Sequence, residues 1–199
     1  MKFIESSFVK EMGDITANMY RQGWDERNGG NVSYLLKEEE VRKFFKKDKF
    51  IRDIDLGFTA PENVRNKYFL VTGTGKYFKN VKSDPETNLG LVKICKCGSK
   101  AHLLWGYKDG GKFTSEFPAH LMSHSVRLEI ERLLPQAILE NVSQEPARLA
   151  DVIRKIEIHS ENSISGLSGT SKAFFVWYLD FLIDFWIQKQ EYNARNPIA

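Results

Sequence analysis

The chain has 199 residues, 42% of them hydrophobic and 28% charged, with a formal charge of +3. It is long enough to bury a core without disulfide or metal staples, and too apolar for wholesale disorder. Residues 1–130 hold 22 Lys and Arg against 17 Asp and Glu, whereas the remainder holds 7 against 9. So mild a basic surplus fits an anionic small molecule as easily as nucleic acid, and by itself signals only solubility.

The first predicted element is a helix over residues 2–23. Ile4, Phe8, Met12, Ile15 and Met19 recur at spacings that build one apolar stripe, and Gly23 ends it. A polar loop over residues 24–31 follows, rich in residues that tolerate positive φ. Residues 32–36 read as a strand. The highly charged stretch 37–50 reads as a surface helix or a mobile insertion. Residues 68–72, YFLVT, form a short apolar strand running into Gly73-Thr74-Gly75-Lys76. Two more strands are predicted at 89–94 and 102–107, joined hairpin-fashion through 95–100 with its Gly98. A turn at 109–111 precedes Thr114-Ser115 and a helix over 116–133, with Pro118 tolerated in its first turn. Helix, strands, then helix argues for α+β or a three-layer α/β arrangement.

Beyond this point, 131–162 reads as mostly helical and polar, 163–171 as a small-residue loop and 173–190 as an apolar helix. Its stretch 173–187 is too short to span a bilayer and carries Asp180 and Asp184, so a buried or interface helix is expected and no membrane partner. The N-terminal residues lack the apolar run and cleavage site of a secretory signal. Cys95 and Cys97 would share one face of a strand, where a bridge between them would be strained. Without a second pair they make no zinc framework. A reducing compartment and a cytoplasmic location are therefore expected.

Three small polar turns, at 28–31, 72–76 and 114–116, can carry chemistry. Turns of this kind bring backbone N–H groups and short hydroxyl or amide side chains close to an anion, which is what phosphate binding requires. Thr114 and Ser115 at a helix start would add the positive end of the helix dipole. Glu116, in the first helical turn, becomes a general acid or base if it is partly buried, and otherwise simply suits the dipole. His120 and His124 share a helix face at i,i+4, but two histidines are not a metal site, and a structural pair is expected. The segment 166–172 lacks Gly before its Lys and Ser or Thr after it, so it reads as a helix cap rather than a phosphate loop.

The segments Gly-Trp-Asp-Glu-Arg-Asn-Gly-Gly-Asn (23–31), Val-Thr-Gly-Thr-Gly-Lys-Tyr-Phe-Lys-Asn-Val (71–81), Asn-Leu-Gly-Leu-Val-Lys-Ile (88–94), Leu-Leu-Trp-Gly (103–106) and Thr-Ser-Glu-Phe-Pro-Ala-His (114–120) occur in this order. Together they resemble the class II aldolase/adducin family, and within it the enzymes acting on L-rhamnulose 1-phosphate. The resemblance spans about residues 1–130. It implies an α/β (α+β) fold in which a central, mostly antiparallel β-sheet is flanked by helices. It also implies a cyclic tetramer, a sugar-phosphate substrate and no nucleic-acid partner. The implied reaction is reversible cleavage to dihydroxyacetone phosphate and L-lactaldehyde, with a zinc ion on three histidines stabilising the enediolate. Carried over residue by residue, Asn28 and Asn31 lie in the substrate loop. Asn28, Thr74, Thr114 and Ser115 hold the phosphate, Gly29 and Gly75 let the backbone approach it, and Glu116 moves the proton.

The chain departs from the family in having no His-x-His, so no metal ligand is assigned; His159, with Glu161, stands too far along. The expected division is an aldolase-like domain over 1–130, incomplete, and an unmatched helical segment over 131–199. The alternative reading is a degenerate, non-catalytic protein that binds sugar phosphates or acts as an oligomeric interaction module.

Overall fold

The computed structural model describes residues 2–25 and 28–139. The chain divides into two compact units, Met1–Phe117 and Pro118–Ala199. The first is built on five strands: β1 (Ser33–Leu36), β2 (Arg52–Asp55), β3 (Tyr68–Thr72), β4 (Leu89–Ile94) and β5 (Lys100–Gly106). They lie in the order β1-β3-β4-β5-β2 with every pairing antiparallel. The α/β (α+β) class with an antiparallel sheet and flanking helices is thus what the sequence folds into.

The interior strand β3 is buried along its whole length, which is why its sequence is a continuous apolar run rather than an alternation. Tyr68 and Leu70 join Leu89, Leu91 and Leu104 in one core cluster, with Val9, Met12 and Val81 from the covering helices. Phe69 points the other way. It meets Phe117 edge-on at 5.8 Å between ring centres, and Phe113 lies 4.8 Å from Phe117.

Helix α1 (Ser7–Arg21) follows a short 3-10 turn at Phe3–Glu5. Ser6 caps it by accepting the Val9 N–H. Gly23, at φ +73°, ends it as the sequence predicts. The buried face follows the predicted stripe only in part: Met12 is in the core and Ile4 and Phe8 pack half-buried against it, but the face turns away from Ile15. Val9, Met12, Gly13 and Thr16 are buried, whereas Ile15 is 49% exposed. The cause is close packing on the short helix α3 (Phe78–Val81): a Cβ on Gly13 would lie 3.2 Å from the Cα of Lys82, just beyond α3. Thr16 fits this face because its hydroxyl folds back onto the Met12 and Gly13 carbonyls. Small residues, Gly13 and Thr16, mark the contact beside the apolar Val9 and Met12.

The charged stretch 37–50 is neither a long surface helix nor loose. It forms α2 (Glu38–Arg42) and returns to the sheet through Asp48. Asp48 accepts hydrogen bonds from Arg42 at 2.6 Å, Lys93 at 2.8 Å and the Tyr68 hydroxyl at 2.9 Å. Burial alone would push its carboxyl upward, but these three donors together hold it down at about 2. Strand β2, which the sequence pattern does not signal, buries only Ile54 and carries charge at its other three positions. That composition suits a sheet edge, where charge discourages further pairing. The helices α3 and α4 (Pro85–Asn88) have four residues each, too few to show a period.

Cys95 and Cys97 are joined by a disulfide, against the sequence expectation. The chain turns at residues 96–97, closed by the Gly98 N–H on the Cys95 carbonyl at 3.0 Å, and the two Cα atoms stand 5.3 Å apart, inside the range a bridge spans, so the straight-strand geometry assumed for strain does not apply. Helix α5 (Phe117–Leu139), which belongs to the second unit from Pro118 on, runs beyond the predicted end at 133. The predicted helical stretch beyond 139, the loop 163–171, the apolar helix 173–190 and His159 lie outside the described residues. Among the described residues no helix is long and apolar enough to cross a membrane.

Candidate functional site

Antiparallel pairing decides where the three polar turns fall. The start of β1, the end of β3 and the start of β4 all lie at one end of the sheet. The turn at 28–31 leads into β1, and the turn at 72–76 leaves β3. Thr72 joins them. In the register of β1 and β3, Val32 stands opposite Thr72. The Thr72 N–H donates to the Val32 carbonyl at 3.0 Å, as the ladder requires. The return bond is different. The Thr72 carbonyl accepts from Thr114 N–H at 2.9 Å, and the Val32 N–H is taken instead by Thr72 Oγ1 at 3.0 Å. One residue therefore ties all three turns together.

Further bonds complete the junction. Gly73 bridges to Phe113, and Thr74 N–H donates to the Lys112 carbonyl at 2.9 Å. Gly73 N–H donates to the Asn88 carbonyl at 2.9 Å. Gly75, at φ +68°, sits in a conformation that favours glycine. Beneath the turn, Tyr107 is buried and donates its hydroxyl to the Val71 carbonyl at 3.0 Å. Burial pushes its phenol well above the usual range, so it stays a donor. Its ring fills the space over Gly90, where any Cβ would lie 2.1 Å from it.

The predicted site residues fall on this junction in different settings. Asn28, Gly29, Thr74, Gly75, Ser115 and Glu116 are exposed, Asn31 is half-buried, and Thr114 is buried. Because the Thr74 N–H is spent on Lys112, the turn presents Thr74 through its hydroxyl. Thr114 Oγ1 accepts the Glu116 N–H at 3.3 Å and its carbonyl accepts Phe117 N–H at 3.0 Å, so Thr114 organises the entry into α5. Glu116 is not in the partly buried setting that general acid–base work calls for. Lys76 pairs with Asp109, whose carboxyl is held below the usual range by that bond and by the Gly111 N–H.

Asp25, which the sequence pattern does not single out, is buried at the same junction. It accepts from Gly30 N–H and Phe78 N–H. The donors involved are backbone groups, and sequence spacing gives no sign of them.

The described histidines do not assemble a zinc site. His102, on β5, pairs its Nδ1 with Asp53 at 2.7 Å and stacks on Phe50. His120 and His124 lie on α5. Burial pushes each imidazole down to about 4, with His120 and Arg127 adding to the effect at His124. Among the described residues there is no group of three or more His, Cys, Asp or Glu that could hold a metal. A catalytic zinc takes three protein ligands, so the described residues do not fit one.

Sheet order and joined turns define the class: an antiparallel α/β domain with its small polar turns gathered at one end. The family model described as the Class II Aldolase and Adducin N-terminal domain matches residues 10–132, and the chain belongs to that family. It is 52% identical over 128 residues to the rhamnulose-1-phosphate aldolase of Listeria innocua, covering 64% of this chain and 46% of that one. It is 48% identical over 131 residues to the enzyme of the same name from Enterococcus faecalis, covering 66% and 47%. The structure is similar to a sugar-phosphate aldolase from Thermotoga maritima, with a TM-score of 0.50 and 26% identity over 64% of this chain and 48% of that chain. The chain thus spans about half the length of these relatives.

Proposed function

We propose that this chain binds a sugar phosphate at the junction of its three turns, and that the described residues form the phosphate-holding part of an aldolase site. The observation that carries this reading is the Thr72 junction, which sets the exposed Thr74, Ser115 and Asn28 on one connected scaffold. Short hydroxyl and amide donors on rigid turns lose little freedom when they close on an anion. Lys76, already paired with Asp109, is not the principal cation for it. Gly29 and Gly75 keep the backbone open to the ligand, and Asn31 completes the substrate loop.

Rhamnulose 1-phosphate is the ligand the named relatives suggest, and dihydroxyacetone phosphate the cleavage product that the family resemblance implies. Cleaving the former leaves a carbanion beside a ketone, and zinc in the family supplies the Lewis acid for that charge. No three-ligand cluster for it exists among the described residues. Glu116 can carry a proton, but proton transfer alone contributes about 10²–10⁴-fold, far below usual enzymatic accelerations. The reading is therefore binding with negligible turnover.

Calorimetry with dihydroxyacetone phosphate tests it. Binding to the wild-type chain, weakened in Thr74→Ala and Ser115→Ala, supports the site; unchanged affinity in both variants rejects it. Zinc-dependent, chelator-sensitive cleavage of L-rhamnulose 1-phosphate by the purified chain would replace the binding reading with an active aldolase.

A further inference from the structure

Asp25 occupies a position between two of the turns that its sequence neighbours do not explain. Its side chain is buried, with 5% of the residue exposed. Oδ1 accepts the Gly30 N–H at 2.8 Å, and Oδ2 accepts the Phe78 N–H at 3.1 Å. Gly30 belongs to the turn before β1. Phe78 opens α3, immediately after the turn that leaves β3. One carboxylate therefore receives a backbone donor from each of two segments far apart in sequence. The approach is tight. A Cβ on Gly30 would lie 2.6 Å from Cε2 and Cζ of Phe78 and 2.8 Å from Asp25 Oδ1, so glycine is required for the two segments to meet.

We propose that Asp25 is a positioning residue: by bonding both amides it fixes the 28–31 turn against the 72–76 turn, and so sets the spacing between Asn28 and Thr74. Its effect on ligand binding rests on the sugar-phosphate reading above; the clamp itself does not. Two acceptor oxygens are needed at once. Bonds from N–H to a carboxylate are stronger than those to a neutral amide. Asparagine has one acceptor oxygen and would set its NH₂ against the second donor. Asp25→Asn therefore keeps the volume and loses one arm of the clamp.

The experiment compares the full-length wild type with Asp25→Asn, Asp25→Ala and Val41→Ala. Val41 is a buried residue of α2, outside the turns, and serves as a stability control. Thermal unfolding reports the fold, NMR hydrogen exchange reports the Gly30 and Phe78 amides, and calorimetry reports the Kd for dihydroxyacetone phosphate. The expected result is a folded Asp25→Asn protein in which at least one of the two amides exchanges about tenfold faster relative to core amides, and in which Kd rises about tenfold. Val41→Ala lowers the melting temperature and leaves Kd at the wild-type value. Wild-type exchange at both amides in Asp25→Asn overturns the proposal. So does faster exchange with unchanged Kd. Failure of both Asp25 variants to fold assigns the residue to stability and also overturns it. A wild-type protein that binds no dihydroxyacetone phosphate ends the sugar-phosphate reading, while the amide exchange still decides whether Asp25 is the clamp.

Discussion

Replacing Thr72 with valine removes one oxygen and keeps the shape of the side chain. Thr72 is 1% exposed, and its carbonyl is committed to the Thr114 N–H. In Thr72→Val the Val32 N–H therefore has no acceptor left on β3. A donor stripped of its partner in a buried place costs about 1–3 kcal/mol. Val32 is only half-buried, so water recovers part of this, and valine is at home in a strand; the expectation is about 1–2 kcal/mol. The second bond of this hydroxyl, to the Val32 carbonyl at 3.3 Å, adds little. Urea unfolding of the full chain measures the loss, provided the dependence on urea keeps its wild-type slope. Thr72→Ser, which retains the oxygen, should hold most of the stability. The affinity for dihydroxyacetone phosphate should also fall in Thr72→Val, because Val32 directly follows Asn31. A loss below about 0.5 kcal/mol, the level of an ordinary surface change, with unchanged affinity would refute the role given to Thr72.

Three further outcomes are expected. Gly30→Ala forces a Cβ into Phe78 and Asp25, and should cost about 1–3 kcal/mol in thermal or urea unfolding and weaken ligand binding. Asp48, held at about 2 in the folded chain from an ordinary value of 3.8, contributes stability that is present above about pH 4 and lost as pH falls toward 2. With its side chain 15% exposed, the contribution is about 2 kcal/mol, so the acid unfolding of Asp48→Asn should be flatter in that window. His120 and His124, pushed down to about 4, are neutral in the folded chain near pH 6 and charge in the unfolded one. Stability should therefore fall as pH drops from about 6.5 toward 4, and NMR titration should place both imidazoles well below 6.

The three polar turns were legible in the sequence because they are local. Gly, Thr, Ser and Asn at set positions signal a turn whatever lies around them, and β3 announces burial by a continuous apolar run, β4 by one broken only at Lys93. What escaped depends on partners distant in the chain. The contact face of α1 is set by how near Lys82 comes to Gly13, which no helical period encodes. Strand β2 is an edge of charged residues around a single buried Ile54, too sparse for a period-two signal. The roles of Thr72 and Asp25 consist of bonds to backbone amides in other segments. The Cys95–Cys97 bridge depends on a turn at residues 96–97 that a straight-strand reading cannot supply.

The central claim is that three turns form one phosphate site. The most direct test is an NMR titration of the full chain with dihydroxyacetone phosphate, following backbone amides. The account requires shifts at residues 28–31, 73–75 and 114–116 that saturate together with one affinity, while β2 and the Cys95–Cys97 hairpin stay unmoved. Shifts confined to one turn, or centred on the Asp48 cluster at the opposite end of β3, would contradict it.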